Sequence, residues 1–382
     1  MNTPELRARC ATALETAGER VGRMRAFVGL DGFVDDIVHV VDKRESAERY
    51  TRLARMEQWA ERIRAAAGKS TNIELVSQRT KLGGNGPIMA NAMASFGFQV
   101  TYLGNLGYPN LHPVFAEFAR RAEVHSLAEP GYTDAVEFED GKVMLGKHQS
   151  LKEVNWANLQ ARFGRDRFAE ALIRSDFVAF VNWTMLPYMN EIWSATLRDI
   201  CPQIAARGSQ REGGARRWLF FDLADPEKRT PEDIRHALEL ILAFEKYFDV
   251  ILGLNEKESC EIGQTLGLDT RDHSPEGLTR LGAEIRRRVP VNTVVIHPTA
   301  YALAVNAQGA SLVEGPFTPK PLITTGAGDH FNAGFCLGKL LGLDNDLSLM
   351  VGVTTSGFYV RTGRSPALGD LVEMLRHWPA RE

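Results

Sequence analysis

Short apolar runs of strand length alternate with helix-length patterns through the second half of this chain. The apolar runs are Asp176 to Asn182, Trp218 to Asp222, Val250 to Leu254 and Thr293 to His297. Helical patterns such as Pro231 to Tyr247 lie between them. Strands that are apolar throughout and separated by helices are typical of a parallel sheet covered on both faces. The sequence therefore predicts an α/β fold with a mostly parallel central sheet between two layers of helices.

The first 150 residues do not keep this alternation. Val28 to Leu30 is predicted as the first strand, and Ile37 to Val41 as a second extended segment. An amphipathic helix is predicted next, because apolar residues recur at helical spacing among charged ones. These apolar residues are Tyr50, Leu53, Met56, Ala60 and Ile63. A last helix, Leu347 to Arg361, is expected to close the fold.

A hairpin interrupts the predicted parallel pattern. Thr133 to Phe138 and Lys142 to Lys147 are extended runs joined by Asp140-Gly141, which is a favoured two-residue turn. We interpret this hairpin as part of a small β lid built from segments 36–48 and 130–150. The whole chain, residues 1–382, is predicted to be one domain, and Ala205 to Arg217 is predicted to be an exposed loop.

Composition narrows the classes of function. The net charge is -3 over 382 residues, so no basic excess favours nucleic acid or an anionic membrane as a partner. The four cysteines have no disulfide or zinc pattern and are expected to be reduced. Met1 to Arg25 lacks the apolar core of a signal peptide, and the apolar runs are too short to cross a bilayer. We therefore expect a cytoplasmic protein.

The segment Gly326-Ala327-Gly328-Asp329 precedes a predicted helix and carries the strongest chemical signal. Small residues leave the backbone amides of a helix N-terminus open to an anion. Phosphate bound there would repel the Asp329 carboxylate, so this residue needs a role, and general base toward a hydroxyl is the natural one. The alternative is an ordinary loop in which the aspartate caps the helix.

Three further groups of polar residues occupy strand ends or helix starts. Asn255 and Glu258 are three residues apart after an apolar strand, so they either steer Mg²⁺ through its waters or cap a helix. Gly83-Gly84-Asn85-Gly86 offers open backbone and an amide to a hydroxyl ligand, or forms a plain turn. Asp31, Asp35 and Asp36 follow the first strand. They either accept hydrogen bonds from a polyhydroxy ligand or belong to a solvated turn.

The order of these motifs resembles that of the ribokinase/PfkB family of carbohydrate kinases, from about residue 28 to residue 361. The resemblance implies a ribokinase-like three-layer α/β/α sandwich and phosphoryl transfer from ATP to a sugar hydroxyl. It implies that Asp329 is the catalytic base and that Mg²⁺ is the cofactor. It also implies an anion hole made by Gly326, Ala327 and Gly328. A lid of this kind can pair with a second copy, so a homodimer is expected as an assembly.

The same resemblance distributes the remaining residues between the two substrates. The nucleotide and its magnesium are expected near Asn255, Glu258, Thr324 and Thr325. The sugar is expected near Asp31, Asp35, Gly84 and Asn85. Asp222 to Arg229 is similar to a family strand end, although Asp225 stands where the family usually has Asn.

Other features leave the donor and the acceptor open. The segment Gly131 to Phe138 and the pair His297-Pro298 are similar to ADP-dependent sugar kinases of the same superfamily, so ADP is the alternative donor. A nucleoside is the alternative acceptor. A protein that binds sugar or nucleotide without catalysis is the alternative from another class, although Asp329 argues against it. The sequence identifies neither the sugar nor the hydroxyl that is phosphorylated.

Overall fold

The computed structural model describes residues 2–206 and 216–380, and most of the predicted Ala205 to Arg217 loop lies outside them. The helices are α1 Pro4–Glu15, α2 Gly18–Arg23, α3 Met56–Ala65, α4 Asn85–Phe96, α5 Trp156–Arg162, α6 Arg165–Arg174, α7 Met189–Asp199, α8 Cys201–Ala206, α9 Pro231–Phe244, α10 Glu256–Thr265, α11 Pro275–Arg288, α12 Ala327–Leu340, α13 Asn345–Thr362 and α14 Leu368–Arg376. The strands are β1 Arg25–Leu30, β2 Phe33–Arg44, β3 Tyr50–Arg52, β4 Leu75–Gly83, β5 Gln99–Gly104, β6 Glu123–Ser126, β7 Gly131–Phe138, β8 Gly141–Lys147, β9 Phe177–Phe180, β10 Trp218–Asp222, β11 Asp249–Leu254, β12 Thr293–Ile296, β13 Tyr301–Asn306 and β14 Gly309–Glu314.

A nine-stranded sheet forms the centre of the molecule, in the order β14-β13-β12-β11-β10-β9-β1-β5-β6. The seven strands from β12 to β6 run parallel, and β13 and β14 add an antiparallel pair at one edge. Helices connect the parallel strands, as the alternation in the sequence requires. The predicted mostly parallel sheet is confirmed.

Side chains of a single strand show that both faces of this sheet are covered. On β10, Leu219 and Phe221 belong to the apolar core that includes Phe244 of α9. Phe220, between them, belongs to the opposite core with Phe335 of α12. Since successive side chains of a strand point to opposite faces, the sheet lies between two helical layers. The predicted three-layer α/β/α sandwich is confirmed.

A second, five-stranded sheet forms the lid, with β2 at its centre. Strand β2 pairs with β7 in parallel and with β3 and β4 antiparallel, while β7 pairs antiparallel with β8. One face of this sheet has its own small core with Val38, Val136 and Phe138, against which Trp59 of α3 packs. Only Asp31 and Gly32 separate β1 of the central sheet from β2 of the lid.

The structure corrects four local predictions. Tyr50 lies in a strand, not in the predicted amphipathic helix, because the Gln58 side chain accepts the Ala54 and Arg55 N–H groups and starts α3 at Met56. Strand β4 was not predicted, since its run of polar residues hides the two-residue period. Phe138 pairs with Gly141, so the hairpin loop is one residue earlier than expected. A further helix, α14, follows the one predicted to be last.

Candidate active site

Asp31 lies at the junction of the two sheets and is fully buried. Its Oδ2 accepts the backbone N–H of Asn85 at 3.0 Å and Nδ2 of Asn182 at 2.7 Å. Its Oδ1 accepts the backbone N–H of Gly86 at 2.8 Å and the Tyr102 hydroxyl at 3.3 Å. The carboxylate therefore holds the start of α4 in place. This geometry favours a positioning role for Asp31, and its predicted contact with a sugar stays a prediction.

Burial raises the pKa of Asp31 to about 6, although its four hydrogen-bond donors act in the opposite direction. Gly84 next to it has φ of 94°, and a Cβ there would lie 2.8 Å from Asp31 Oδ2. Only glycine fits both requirements. The Gly-Gly-Asn motif thus lets the carboxylate approach the first amides of α4, which places the Asn85 side chain near the carboxyl ends of the central strands.

Asp35 lies on the face of the lid sheet opposite the lid core. It is 5% exposed, stands across from Lys81 on β4 and Thr133 on β7, and accepts a hydrogen bond from Thr133. Its neighbour Asp36 accepts instead from Ser77 at 2.5 Å and from Thr80 at 3.2 Å. The period of two in a strand separates the two carboxylates onto opposite faces.

The segment predicted to be an anion hole, Gly326 to Gly328, leads into the first turn of α12. Gly326 has φ of 94° and precedes the helix, and Ala327 donates its N–H to the Thr324 carbonyl at 3.1 Å. Within residues 2–206 and 216–380, no side chain caps this helix, and the N–H groups of Gly328 and Asp329 have no acceptor. Two helix-terminal donors are thus open to an anion, while that of Ala327 is engaged within the turn.

Residues that the sequence did not identify hold this turn in place. The Tyr359 hydroxyl donates to the Thr325 carbonyl at 2.9 Å. His330 Nδ1 lies 2.7 Å from the Gly326 carbonyl, and its Nε2 lies 2.9 Å from Ser365 Oγ. The His330 and Tyr359 rings stack with centroids 3.7 Å apart. Burial lowers the pKa of His330 to about 4, so the neutral ring donates from Nδ1 to the turn.

Asp329 follows the anion hole and is 8% exposed. Burial and the nearby Asp31 carboxylate raise its pKa well above the ordinary value, whereas a hydrogen bond from Asn85 and the charge of Lys81 lower it. A carboxylate with a raised pKa is a stronger base, which suits removal of a proton from a hydroxyl. The structure thus brings together Asp329, Asn85 and the lid.

Asn255 and Glu258 form a reciprocal capping box at the start of α10. Asn255 Oδ1 accepts the Glu258 N–H at 2.9 Å, and Glu258 Oε2 accepts the Asn255 N–H at 2.8 Å. Glu258 Oε1 accepts the Asp225 N–H at 3.1 Å. The capping alternative describes this geometry well. Burial raises the pKa of Glu258 to about 7, and burial together with Glu258 and Asp329 raises the pKa of Asp222 well above its ordinary value.

Strained backbone is concentrated at the same strand ends. Asn182 follows β9 with φ of 58°, and Ala224 and Asp225 follow β10 with φ of 57° and 55°. Non-glycine residues with positive φ are uncommon and cluster at functional sites. Asn182 uses this conformation to reach Asp31. Its sequence context gave no signal, because the contact joins residues 151 positions apart.

A cavity of about 370 Å³ adjoins the anion hole between the β12–β14 region and α13. Its lining includes His297, Pro316, Phe317, Thr324 and Gly328. The His297 and Phe331 rings lie at an angle of 37° with centroids 4.8 Å apart, and burial lowers the pKa of His297 to about 4. Its lining combines apolar side chains with the backbone of Gly328 and the hydroxyl of Thr324, which suits a ligand with an aromatic base and phosphates. The predicted Thr324 lines it.

Among the described residues, no cluster of His, Cys, Asp and Glu has the arrangement of a metal site. The helices of the same residues include none with the length and hydrophobicity needed to span a membrane. All four cysteines are free and buried.

Comparisons with known proteins agree with this architecture. The chain matches the family model of prokaryotic ketohexokinase over residues 3–378. It is 30% identical over 375 residues to a ketohexokinase from Haloferax volcanii, covering 97% of this chain and 96% of the relative. The fold is similar to that of Arabidopsis thaliana ribokinase, with a TM-score of 0.63 and 15% identity, covering 92% of this chain and 98% of that one.

A second solved structure of similar fold is phosphofructokinase-2 from Escherichia coli. It has a TM-score of 0.61 and 14% identity, and covers 93% of this chain and 99% of its own. At identities this low, the two structures establish the fold alone, which is ribokinase-like as predicted. The match to the family model extends over nearly the whole chain and includes both sheets and every residue of the candidate site. The chain therefore belongs to the prokaryotic ketohexokinase family, and it is a carbohydrate kinase.

Proposed function

We propose that this carbohydrate kinase transfers the γ-phosphoryl group of ATP to a hydroxyl of a ketohexose. The observation that carries the choice of acceptor is the match to the prokaryotic ketohexokinase model over residues 3–378. The relative from Haloferax volcanii, itself named a ketohexokinase, aligns over 97% of this chain and supports the same class of sugar.

The acceptor lies between the lid and the start of α12 in this proposal. Asp35 accepts hydrogen bonds from sugar hydroxyls, and the Asn85 amide contacts a further hydroxyl from the central side. Asp329 removes the proton of the reacting hydroxyl. Its distance from bulk water and its raised pKa make the carboxylate a strong base once it is ionised. The positive charge of Lys81 acts against this rise in the pKa of Asp329 and favours the ionised carboxylate.

ATP occupies the cavity beside α13, with its base among the apolar residues and its phosphates toward the anion hole. The open N–H groups of Gly328 and Asp329 bind the γ-phosphoryl group at the positive end of the α12 dipole. Phosphoryl transfer depends mainly on positioning and on neutralising charge, and a helix N-terminus supplies both. Thr324 and Thr325, which precede the anion hole, complete the contact with the nucleotide.

Magnesium fits this site through water molecules and not through a ligand set of the protein. Both Glu258 oxygens and Asn255 Oδ1 already accept backbone N–H groups. Burial and, after it, repulsion by Glu258 raise the pKa of Asp222, and a divalent cation nearby would relieve that repulsion. Asn255, Glu258 and Asp222 would hold the waters of the ion, which would offset phosphate charge when bound.

We also propose that the protein is cytoplasmic and forms a homodimer through the lid. Four free, buried cysteines are consistent with the reducing cytoplasm. The lid exposes Tyr132, Met144 and Leu145, which are apolar residues suited to pairing with a second copy. Sedimentation analysis of the purified protein tests the homodimer, and a monomer at micromolar concentration would contradict it.

A kinase assay with a defined panel tests the proposed reaction. The purified protein is incubated with Mg²⁺, with ATP or ADP, and with fructose, other ketohexoses, aldohexoses or nucleosides. We expect the highest kcat/KM with a ketohexose and ATP. Faster turnover of an aldohexose or a nucleoside would contradict the acceptor, and turnover with ADP in place of ATP would contradict the donor.

A further inference from the structure

Two lysines of the lid point toward the anion hole, and the sequence motifs did not identify either. Lys142, the second residue of β8, donates from Nζ to Thr325 Oγ1, directly before Gly326. Lys81 on β4 stands across from Asp35, and its positive charge lowers the pKa of Asp329. Glu137 on β7 pairs with Lys142, so both lysines lie on the face of the lid that carries Asp35. We call Lys81 and Lys142 the lid cation pair.

Neither lysine of the lid cation pair forms an ion pair within residues 2–206 and 216–380. Other lysines of this chain do so: Lys147 lies 2.9 Å from Asp134, and Lys228 lies 3.1 Å from Asp225. Burial lowers the pKa of Lys81, the Asp35 carboxylate acts in the opposite direction, and repulsion by Lys142 lowers it further. The Asp35 and Glu137 carboxylates act on these two charges without forming an ion pair with them. Two ammonium groups in this position beside open helix amides indicate a site for an anion.

We propose that the lid cation pair binds the phosphoryl group that is transferred, from the side opposite to the amides of Gly328 and Asp329. This inference rests on the proposed function, in which those amides hold the γ-phosphoryl group. Lys142 is then a catalytic residue, because its ammonium contacts the reacting group. The lid contributes charge to the reaction as well as covering the sugar.

The electron balance of the transfer shows where these charges act. The acceptor oxygen gives its proton to the Asp329 carboxylate and forms a bond to the γ-phosphorus. The bond from that phosphorus to the β,γ-bridging oxygen breaks, and its electron pair leaves with ADP. Negative charge is spread over the three remaining oxygens of the phosphoryl group. Lys81 and Lys142 keep their protons throughout and stabilise that charge only while the lid contacts α12.

Lys147 supplies a matched control on β8, the strand that also carries Lys142. It pairs across from Tyr132 and forms its ion pair with Asp134, so it lies on the opposite face of the lid sheet from Lys142. Lys147→Met removes the same charge from the same strand without touching the cleft. Lys142→Arg keeps a positive charge at the site and separates the loss of charge from the loss of packing.

Nucleotide binding by calorimetry is the primary test, since it requires no knowledge of the acceptor. AMP-PNP, a non-hydrolysable ATP analogue, and ADP are titrated into wild type, Lys81→Met, Lys142→Met, Lys142→Arg and Lys147→Met. We expect Lys81→Met and Lys142→Met to weaken AMP-PNP by about tenfold and to leave ADP within about twofold. Lys142→Arg should retain most of the preference, and Lys147→Met should equal wild type.

Turnover is measured on whichever acceptor the wild type phosphorylates. Removing one preorganised donor from a transition state should lower kcat of Lys142→Met by about a hundredfold or more. An unchanged ratio of AMP-PNP to ADP affinity, a kcat within threefold of wild type, or a rise confined to the acceptor KM would overturn the assignment. Should wild type phosphorylate no ketohexose while the affinity ratio still falls in Lys142→Met, the proposed acceptor fails and the role of the lid cation pair stands.

Discussion

The two sheets of this molecule are built on opposite principles. Strands of the central sheet such as β10 and β11 are apolar and buried on both faces, and the polar residues of the site appear only after they end. The lid sheet buries one face against α3 and gives the other to charged residues. Asp35, Lys81 and Lys142 lie on that second face. In the proposed reaction the central sheet therefore positions the general base and the anion-binding turn, while the lid supplies side chains to the ligands.

The largest expected effect is on kcat, and it comes from the general base that the central layers position. Asp329→Asn should lower kcat by about a hundredfold to ten-thousandfold, because it removes the general base. Nucleotide affinity should change little, since the backbone amides of α12 remain. Steady-state kinetics and calorimetry measure the two quantities. A kcat near that of wild type would show that the base is another group.

The two apolar cores should respond differently to the same truncation. Phe221→Ala in the central core should lower the free energy of unfolding by about 3–5 kcal/mol. Phe138→Ala in the lid core should mainly raise hydrogen exchange in β7 and β8, because a small unit can open without global unfolding. Denaturant melts and exchange mass spectrometry check both. Equal losses of global stability would mean that the lid and the central sheet unfold together.

Acceptor affinity should depend on one residue from each region. Asp35→Ala and Asn85→Ala each leave a sugar hydroxyl unpaired, which costs about 1–3 kcal/mol, so the acceptor KM should rise roughly tenfold. The nucleotide KM should stay nearly constant. Asp36→Ala is the control, because its carboxylate contacts Ser77 and Thr80 on the other face. Damage by Asp36→Ala without damage by Asp35→Ala would reverse the assignment of faces.

A smaller effect concerns the stability of the site itself. The pKa of Asp329 is raised on folding, so the folded state binds this proton more tightly than the unfolded state does. Folding stability therefore falls as pH rises from the unfolded pKa to the folded one. Asp329→Asn removes this loss and should raise Tm relative to wild type, more at pH 8 than at pH 4. A difference in Tm that does not depend on pH would show that Asp329 is not the group responsible.

The sequence predicted the central sheet better than the lid for a physical reason. Strands such as Thr293–Ile296 are buried on both faces, so their apolar runs stand out. Strand β4 carries Ser77, Gln78 and Arg79 on exposed positions, and its pairing with β2 depends on a partner some forty residues away in sequence, which no local pattern reveals.

The site shows the same limit. The backbone requirement for glycine made the turn before Asp329 and the Gly83-Gly84 pair visible in the sequence. Asn182 and Lys142 act through contacts between segments that are distant in sequence, so no local pattern indicates them. The spacing of Asn255 and Glu258 places both on one helical turn, as the structure confirms. The spacing alone does not distinguish ion binding from the capping box that the structure shows.

The short connection between the sheets has a consequence for the order in which substrates bind. Two of the connections between the lid and the central layers run through Asp31-Gly32 and through Gly84, and the Asp31 carboxylate links these two by accepting the N–H groups of Asn85 and Gly86. If the lid rotated about this point, nearby atoms such as those of Asn85 would move least. The β7–β8 hairpin that carries Lys142 would move farthest. The sugar would then find half of its pocket already formed in an open molecule, and the nucleotide phosphates would meet their last contact only on closing.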